Sequence, residues 1–264
     1  MLRLIAGGAA ALLLCAAAQA AVKEEPVTYK DGDTTMKGFV VYDDAKKGKR
    51  PGIVVVHEWW GITKHVRGEA RKLADQGYTA FVADMFGDGK TADNPKDAGA
   101  LAGSVRKNPA AMQSRFVAAR SALANHPTVD SSRIGATGFC FGGSVVLDMA
   151  RAGMDLAGVA AFHATLPSSL GSAAPEKVKA KVLVLNGDAD PFVKPDTVDA
   201  FKKEMEAARV DYRYVTYPGA LHAFTNPEAT EKGKKFNLPL AYDPQADKQS
   251  KAEAAKFFAG VFRK

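Results

Sequence analysis

The stretch Arg133-Ile134-Gly135-Ala136-Thr137-Gly138-Phe139-Cys140-Phe141-Gly142-Gly143-Ser144-Val145-Val146-Leu147 decides how the rest of the chain is read. Residues 133–138 have the apolar, β-branched character of a buried strand, and residues 141–152 have the pattern of a helix. Only Phe139 and Cys140 remain to make the turn between them. So tight a strand-to-helix turn forces unusual backbone angles at its apex, and the flanking glycines keep neighbouring side chains out of the way. The turn lifts Cys140 to the carboxyl edge of a sheet and sets it at a helix N-terminus, where the dipole favours thiolate over thiol. This is a nucleophile elbow with cysteine in the place of serine. Most free cysteines are merely small buried hydrophobes, so the reading needs partners elsewhere in the chain.

Outward from this stretch, strand and helix patterns alternate. Ile53-Val54-Val55-Val56-His57 is a continuous apolar run, expected of a strand buried on both faces of a parallel sheet. A helix over residues 63–76, closed by Gly77, and a strand over 79–86 complete a β-α-β unit. The alternation continues with a helix over 109–125, the strand and helix around Cys140, strands over 156–162 and 182–186, a helix over 196–208, a strand over 212–217 and a closing helix over 246–262. Residues 27–30 and 35–42, separated by Asp31-Gly32-Asp33, read as an antiparallel hairpin. The fold class is α/β: a mostly parallel central sheet with helices on both faces and an N-terminal antiparallel hairpin. Residues 21–264 are expected to form one domain, with residues 87–108 as an irregular insertion over the site.

The first twenty residues differ. Arg3 precedes an apolar, small-residue run, and Ala18-Gln19-Ala20 has the small-x-small form of a signal-peptide cleavage site. A leader over residues 1–20 and a periplasmic or secreted mature protein are expected. Its removal would take Cys15 of the two cysteines and leave Cys140 alone, so no internal disulfide could form. The net charge of +7 comes from scattered basic residues, apart from Lys46-Lys47-Gly48-Lys49-Arg50 and Lys232-Gly233-Lys234-Lys235. Neither cluster interleaves aromatic residues along a groove, so no nucleic-acid partner is expected. Nor is a membrane partner expected once the leader is gone. A hydrophobic fraction of 47% and charged fraction of 25% are ordinary for a globular protein with a full core.

Two partners for Cys140 follow in chain order. Asp190 lies in Asn186-Gly187-Asp188-Ala189-Asp190-Pro191 after one late strand, and His222 lies in Gly219-Ala220-Leu221-His222-Ala223-Phe224 after the next. In α/β-hydrolases the nucleophile, acid and histidine occur in this order. Asp188 is the rival carboxylate, but the one nearer the strand more often bonds turn amides. His57 and His163 also end strands and could face the cleft. Without a compact ligand spacing such as H-x-x-x-H, no metal and no cofactor are expected.

These residues resemble the dienelactone hydrolase family from about residue 51 to the C-terminus. The likeness extends beyond the cysteine elbow to His57-Glu58-Trp59-Trp60-Gly61, Lys72-Leu73-Ala74-Asp75-Gln76-Gly77-Tyr78 and Ala83-Asp84-Met85-Phe86. It implies a Cys140-His222-Asp190 triad, a role for Glu58 in forming the thiolate through contact with the cysteine, and an oxyanion hole from the amides of Phe141 and Trp59. Desolvation at the pocket mouth is expected to raise the proton affinity of Glu58. Ester or enol-lactone hydrolysis through a thioester is the implied reaction, on a small-molecule substrate; separately, a monomer is expected. Trp60, with Trp59 and Phe141, is expected to contact an apolar acyl group. The family holds a substrate carboxylate with arginines, one of them four residues after the histidine, where this chain has Asn226. The second arginine is missing after Asn94-Pro95, leaving Arg106, Arg115 or Lys90 as substitutes. A different class of function stays open: a non-hydrolytic periplasmic protein whose Cys140 binds or senses an electrophile or oxidant.

Overall fold

The computed structural model describes residues 22–263. The leader and Cys15 therefore lie outside the described residues. Eight strands form one sheet in the order β1-β2-β4-β3-β5-β6-β7-β8: β1 (Val22–Asp31), β2 (Thr34–Asp43), β3 (Arg50–Val56), β4 (Thr79–Ala83), β5 (Val129–Phe139), β6 (Gly158–Phe162), β7 (Lys181–Gly187) and β8 (Tyr212–Tyr217). β1 and β2 pair antiparallel, β2 joins β4 antiparallel, and every later pairing is parallel.

The apolar run in β3 now has a structural reason. Val54 and Val56 enter a core beneath α3 (Pro109–Ala124), α4 (Phe141–Arg151) and α5 (Pro195–Ala207). Ile53 and Val55 point the other way, into a second core under α1 (Lys64–Asp75) and α7 (Pro244–Val261). Alternate residues thus serve opposite faces, and each buried aliphatic side chain contributes about 1.5–3 kcal/mol. Because the connections between parallel strands cross over the sheet, all the strand-to-helix loops open at the carboxyl edge.

Several boundaries differ from the sequence expectation. The hairpin extends to Val22 and Asp43, and its turn is carried by Gly32 at φ 54°. β1 is an edge strand with one partner, so it tolerates Pro26 and lacks a strong apolar alternation. β4 stops at Ala83 rather than at Phe86, because Asp84 turns its carboxylate onto the amides of Lys37, Phe86, Gly87 and Gly89. The segment 87–108 is not irregular: α2 (Pro95–Arg106) occupies half of it, capped by Asn94 accepting from the Asp97 amide. Its buried side consists of the small residues Ala98, Ala102 and Val105, which carry little periodic signal. A short helix α6 (Ala229–Phe236) also follows the His222 loop.

The glycines of the elbow are fixed by contact. A Cβ on Gly142 would lie 2.3 Å from the Val56 carbonyl oxygen and 2.6 Å from that of His57. Gly142→Ala is therefore expected to cost about 3 kcal/mol or more of stability in urea unfolding. By contrast Gly68 lies inside α1, with no neighbouring atom within 4 Å of the place a Cβ would take. Gly68→Ala should raise stability by up to about 1 kcal/mol in the same measurement.

Candidate active site

Cys140 closes β5 and caps α4 with φ 54° and ψ −115°, backbone angles that a side-chain-bearing residue adopts only under constraint. Three contacts impose it. The Cys140 amide donates to the Phe162 carbonyl at 3.0 Å, anchoring the turn to β6. Gly138 and Gly142 approach so closely that a Cβ on Gly138 would lie 2.1 Å from the Gly142 carbonyl oxygen. Gly143 presses on Ala164 in the same way, at 2.8 Å. Phe141 opens α4, which leaves its amide without an acceptor inside the helix.

Asp190 and His222 meet beyond the ends of β7 and β8. The Asp190 Oδ2 to His222 Nδ1 distance is 2.7 Å, and both side chains are buried. Asp190 Oδ1 accepts from the Phe192 amide, which fixes the carboxylate from its other side. Asp188 is exposed and accepts from the Gly219 amide, bracing the two loops against each other. The close approach of these loops depends on Gly187, where a Cβ would lie 2.0 Å from the Ala220 carbonyl oxygen. Burial opposes charging of His222, but the facing Cys140 sulfur and the hydrogen-bonded Asp190 outweigh it and push its pKa up to about 10. The arrangement therefore favours an imidazolium beside the sulfur.

Glu58 follows β3 and is also buried, on a turn closed by the Gly61 amide donating to its carbonyl. Its Oε2 accepts from Asn226 Nδ2 at 2.7 Å and faces His65 Nδ1 at 3.3 Å. Burial pushes the Glu58 pKa up, yet the charge and hydrogen bond of His65, with help from Lys232 and Asn226, bring it below the usual carboxylate range. The raised proton affinity expected from desolvation alone is thus reversed, because the spacing of Glu58 and His65 along the chain does not reveal that they meet. The partners shown for the carboxylate are Asn226 and His65, where the family resemblance implied the cysteine.

His57 is a brace. Its Nε2 accepts from the Met85 amide at 3.2 Å, so Nδ1 carries the hydrogen and donates to the Glu58 carbonyl at 2.6 Å. Both ring nitrogens are thereby used by backbone. Burial lowers its pKa, and the neutral ring stacks on Phe141.

Trp59 is half-buried, and its ring packs edge-on against Trp60. Trp60 itself does not line the main cavity: it is enclosed by Ala98, Ala223, Ala229, Leu240 and Phe236, with the Lys232 ammonium over its ring. This packing seats α2 and α6 beside the site. The neighbouring cavity, of about 470 Å³, is walled by Met112, Phe141, Val145, Pro167, Pro191 and Phe192, with Ser144, Thr165 and Asp148 among its polar residues. Phe192 is exposed at its lip and meets the His222 ring edge-on at 5.0 Å. Of the three cations considered as substitutes, Arg106 lines this cavity, its guanidinium 5.3 Å from the Phe141 ring centre, together with Lys194. Arg115 instead donates to the Met85 carbonyl, and Lys90 is not among the lining residues.

Sequence reasoning did not single out Phe192, His65 or Thr225. Phe192 was the most accessible, being an aromatic two residues after the acid.

A raised folded-state pKa for His222 stabilises the fold below its ordinary value of 6.5, and that contribution fades as pH rises from there through about 10. The stability advantage of the parent over His222→Gln in urea unfolding should accordingly shrink across that window. An advantage that stays flat or grows would contradict the ion pair.

Similarity to known proteins agrees with this architecture. The chain is 29% identical to Protein usf of Aquifex pyrophilus over 204 residues, covering 76% of this chain and 86% of that one. A dienelactone hydrolase-like promiscuous phosphotriesterase from metagenomic libraries superposes with a TM-score of 0.84 at 33% identity, covering 92% of this chain and all of the other. A dienelactone hydrolase from Anabaena variabilis, at 20% identity and a TM-score of 0.68 over 92% of this chain and 99% of its own, shares the fold. The profile of the dienelactone hydrolase family matches residues 36–262. With its mostly parallel sheet, cysteine elbow and paired acid and histidine in place, this chain belongs to the dienelactone hydrolase family, hydrolases acting on ester bonds.

Proposed function

We propose that this chain is an exported hydrolase that cleaves an ester or enol-lactone through Cys140, His222 and Asp190. The observation that carries the reading is the buried 2.7 Å Asp190–His222 pair set against a sulfur held at the apex of the elbow. In the first step the Cys140 thiolate attacks the acyl carbon and forms a C–S bond. The oxyanion is received by the amides of Phe141 and Trp59, each contributing about 3 to 4 kcal/mol. Collapse breaks the C–O bond, and the leaving oxygen takes the proton from the His222 imidazolium. Neutral His222 then removes a proton from water, which attacks the thioester. The C–S bond breaks to release the acid and restore the thiolate. Asp190 fixes the imidazole tautomer and stabilises its charge throughout. Where Cys140 is still a thiol before the first turnover, Glu58, ionised and close to the elbow loop, takes its proton and gives it up to water, leaving the thiolate beside the His222 imidazolium.

The acyl group lies along Phe141 and Phe192 in the adjoining cavity, which suits an apolar or aromatic chain. Export rests on the leader at residues 1–20.

The protein from Ala21 onward should hydrolyse short esters, thioesters or enol-lactones, and Cys140→Ala or one equivalent of iodoacetamide should lower turnover on the order of a thousandfold or more. Hydrolysis that survives complete alkylation would remove Cys140 from the mechanism. No hydrolysis of any of the panel, with rapid oxidation of the same thiol, would favour the thiol-sensor reading instead.

A second measurement concerns charge. Asn226 is neutral and already bonded to Glu58, so it cannot supply the two charge-assisted bonds of a carboxylate clamp, whose loss costs about 2 to 5 kcal/mol. A neutral methyl ester should therefore be hydrolysed at least as well, by kcat/KM, as the corresponding carboxylated enol-lactone. A strong preference for the free acid would overturn this and assign the clamp to Arg106.

A further inference from the structure

The mechanism leaves two buried histidines without a task, His65 near the start of α1 and His163 after β6. They are joined. His65 Nδ1 faces Glu58 Oε2 at 3.3 Å, His65 Nε2 lies 3.4 Å from Thr225 Oγ1, and Thr225 Oγ1 lies 2.9 Å from His163 Nε2. The His163 ring in turn meets the His222 ring edge-on at 5.3 Å. A line of buried polar groups thus runs from Glu58 to the edge of the proposed base. We propose that His65 is a positioning residue that works as an imidazolium, holding Glu58 as a carboxylate across their 3.3 Å contact at the head of a line of polar groups that ends beside His222. The proposal rests on the role given to Glu58 in the proposed function.

The carboxylates around the ring support its charge. His65 Nδ1 faces one carboxylate, and Nε2 lies near a second, Glu69 Oε1, at 3.8 Å. A neutral ring would satisfy Glu58 from Nδ1 and take the Thr225 hydroxyl at Nε2, so it is the two nearby carboxylates that favour the imidazolium, whose Nε2–H then donates to Thr225. Thr225 has a single hydroxyl hydrogen. If it accepts from His65 Nε2, it donates to His163 Nε2, so the charge on His65 sets the direction of the whole chain.

His163 fits the receiving end, since burial and the neighbouring His222 and His65 push its pKa well below the ordinary histidine range and keep it neutral. Of the other groups around His65, Lys251 opposes its charge. Lys72 of α1 and Lys251 of α7 bind Glu69, Asp247 binds Lys251, the charge of Lys232 of α6 acts on Glu58, and the Phe139 ring of β5 supplies an apolar wall at 5.1 Å. Burial disfavours the His65 charge, but Glu58 and then Glu69 more than offset it and raise its pKa.

The functional consequence is the state of Glu58. A buried carboxylate without a cation takes up a proton, and a protonated Glu58 cannot accept one from the thiol. In His65→Gln the acid limb of kcat/KM should move up by about one pH unit or more, leaving activity about tenfold lower at pH values below both limbs and close to the parent near pH 9. KM should change little, and Glu58→Gln combined with His65→Gln should fall no further than Glu58→Gln alone. A purely structural role predicts loss at every pH with an unmoved limb, and that result would overturn the proposal. A second readout needs no activity and no folded variant at position 65: nitrogen-15 histidine spectra of the parent should show both His65 nitrogens protonated near neutral pH. A neutral His65 there would refute the pairing, whereas activity in Cys140→Ala would refute the proposed function and leave this spectral test standing.

Discussion

The positive φ of Cys140 is a constraint on which three layers of the molecule depend. An L-residue with a side chain occupies that region only when its surroundings leave no alternative, at a cost of about 1–3 kcal/mol. Here the surroundings are the carbonyls of Val56 and His57 on β3 and its loop, the Phe162 carbonyl on β6, and the first turn of α4. Each approaches closely because a glycine replaces a side chain. The same closeness brings the loop bearing Glu58 and Trp59 to the N-terminus of α4, so the fold and the site share one set of contacts.

A second constraint is the cost of burying charge. Asp190, His222, Glu58 and His65 are all nearly inaccessible to solvent, and an isolated ion in such a place is unstable by several kcal/mol. They are tolerated in pairs, Asp190 with His222 and Glu58 with His65. Asp190 and His222 are brought together from the loops after β7 and β8, whereas Glu58 and His65, seven residues apart, come from the loop after β3 and the first turn of α1. The parallel sheet makes this possible, since its carboxyl edge is where those segments open together.

The fold was largely legible because it depends on local patterns. The run Ile53 to Val56 and the glycines around Cys140 announce a doubly buried strand and an elbow within a few residues of sequence. α2 escaped notice because its buried residues are Ala98, Ala102 and Val105, too small to stand out, although Asn94-Pro95 with Asp97 is a legible helix start. The order of Cys140, Asp190 and His222 was readable from chain position, as were the places of Asp188 and Glu58. What could not be read were contacts that no local pattern marks, whether between neighbouring turns of chain or distant segments. Nothing at Glu58 in the sequence points to His65 as its partner, and nothing at Trp60 says that α6 will fold over it.

That hidden contact bears on how the site discriminates. A guanidinium at position 226 could be shared between Glu58 and a substrate anion, so binding the anion would alter the charge on Glu58. Asn226 carries no charge to share, and its amide is committed to Glu58 Oε2. The balancing cation comes instead from His65, which sits behind Glu58 with Thr225 and Glu69 on its other side, enclosed by α1, β5 and the His222 loop. A buried imidazolium in that position has no route to the substrate. On the proposed reading, the ionisation of Glu58 is therefore built into the resting protein and does not wait for a substrate carboxylate, which is the physical reason that neutral esters fit this site.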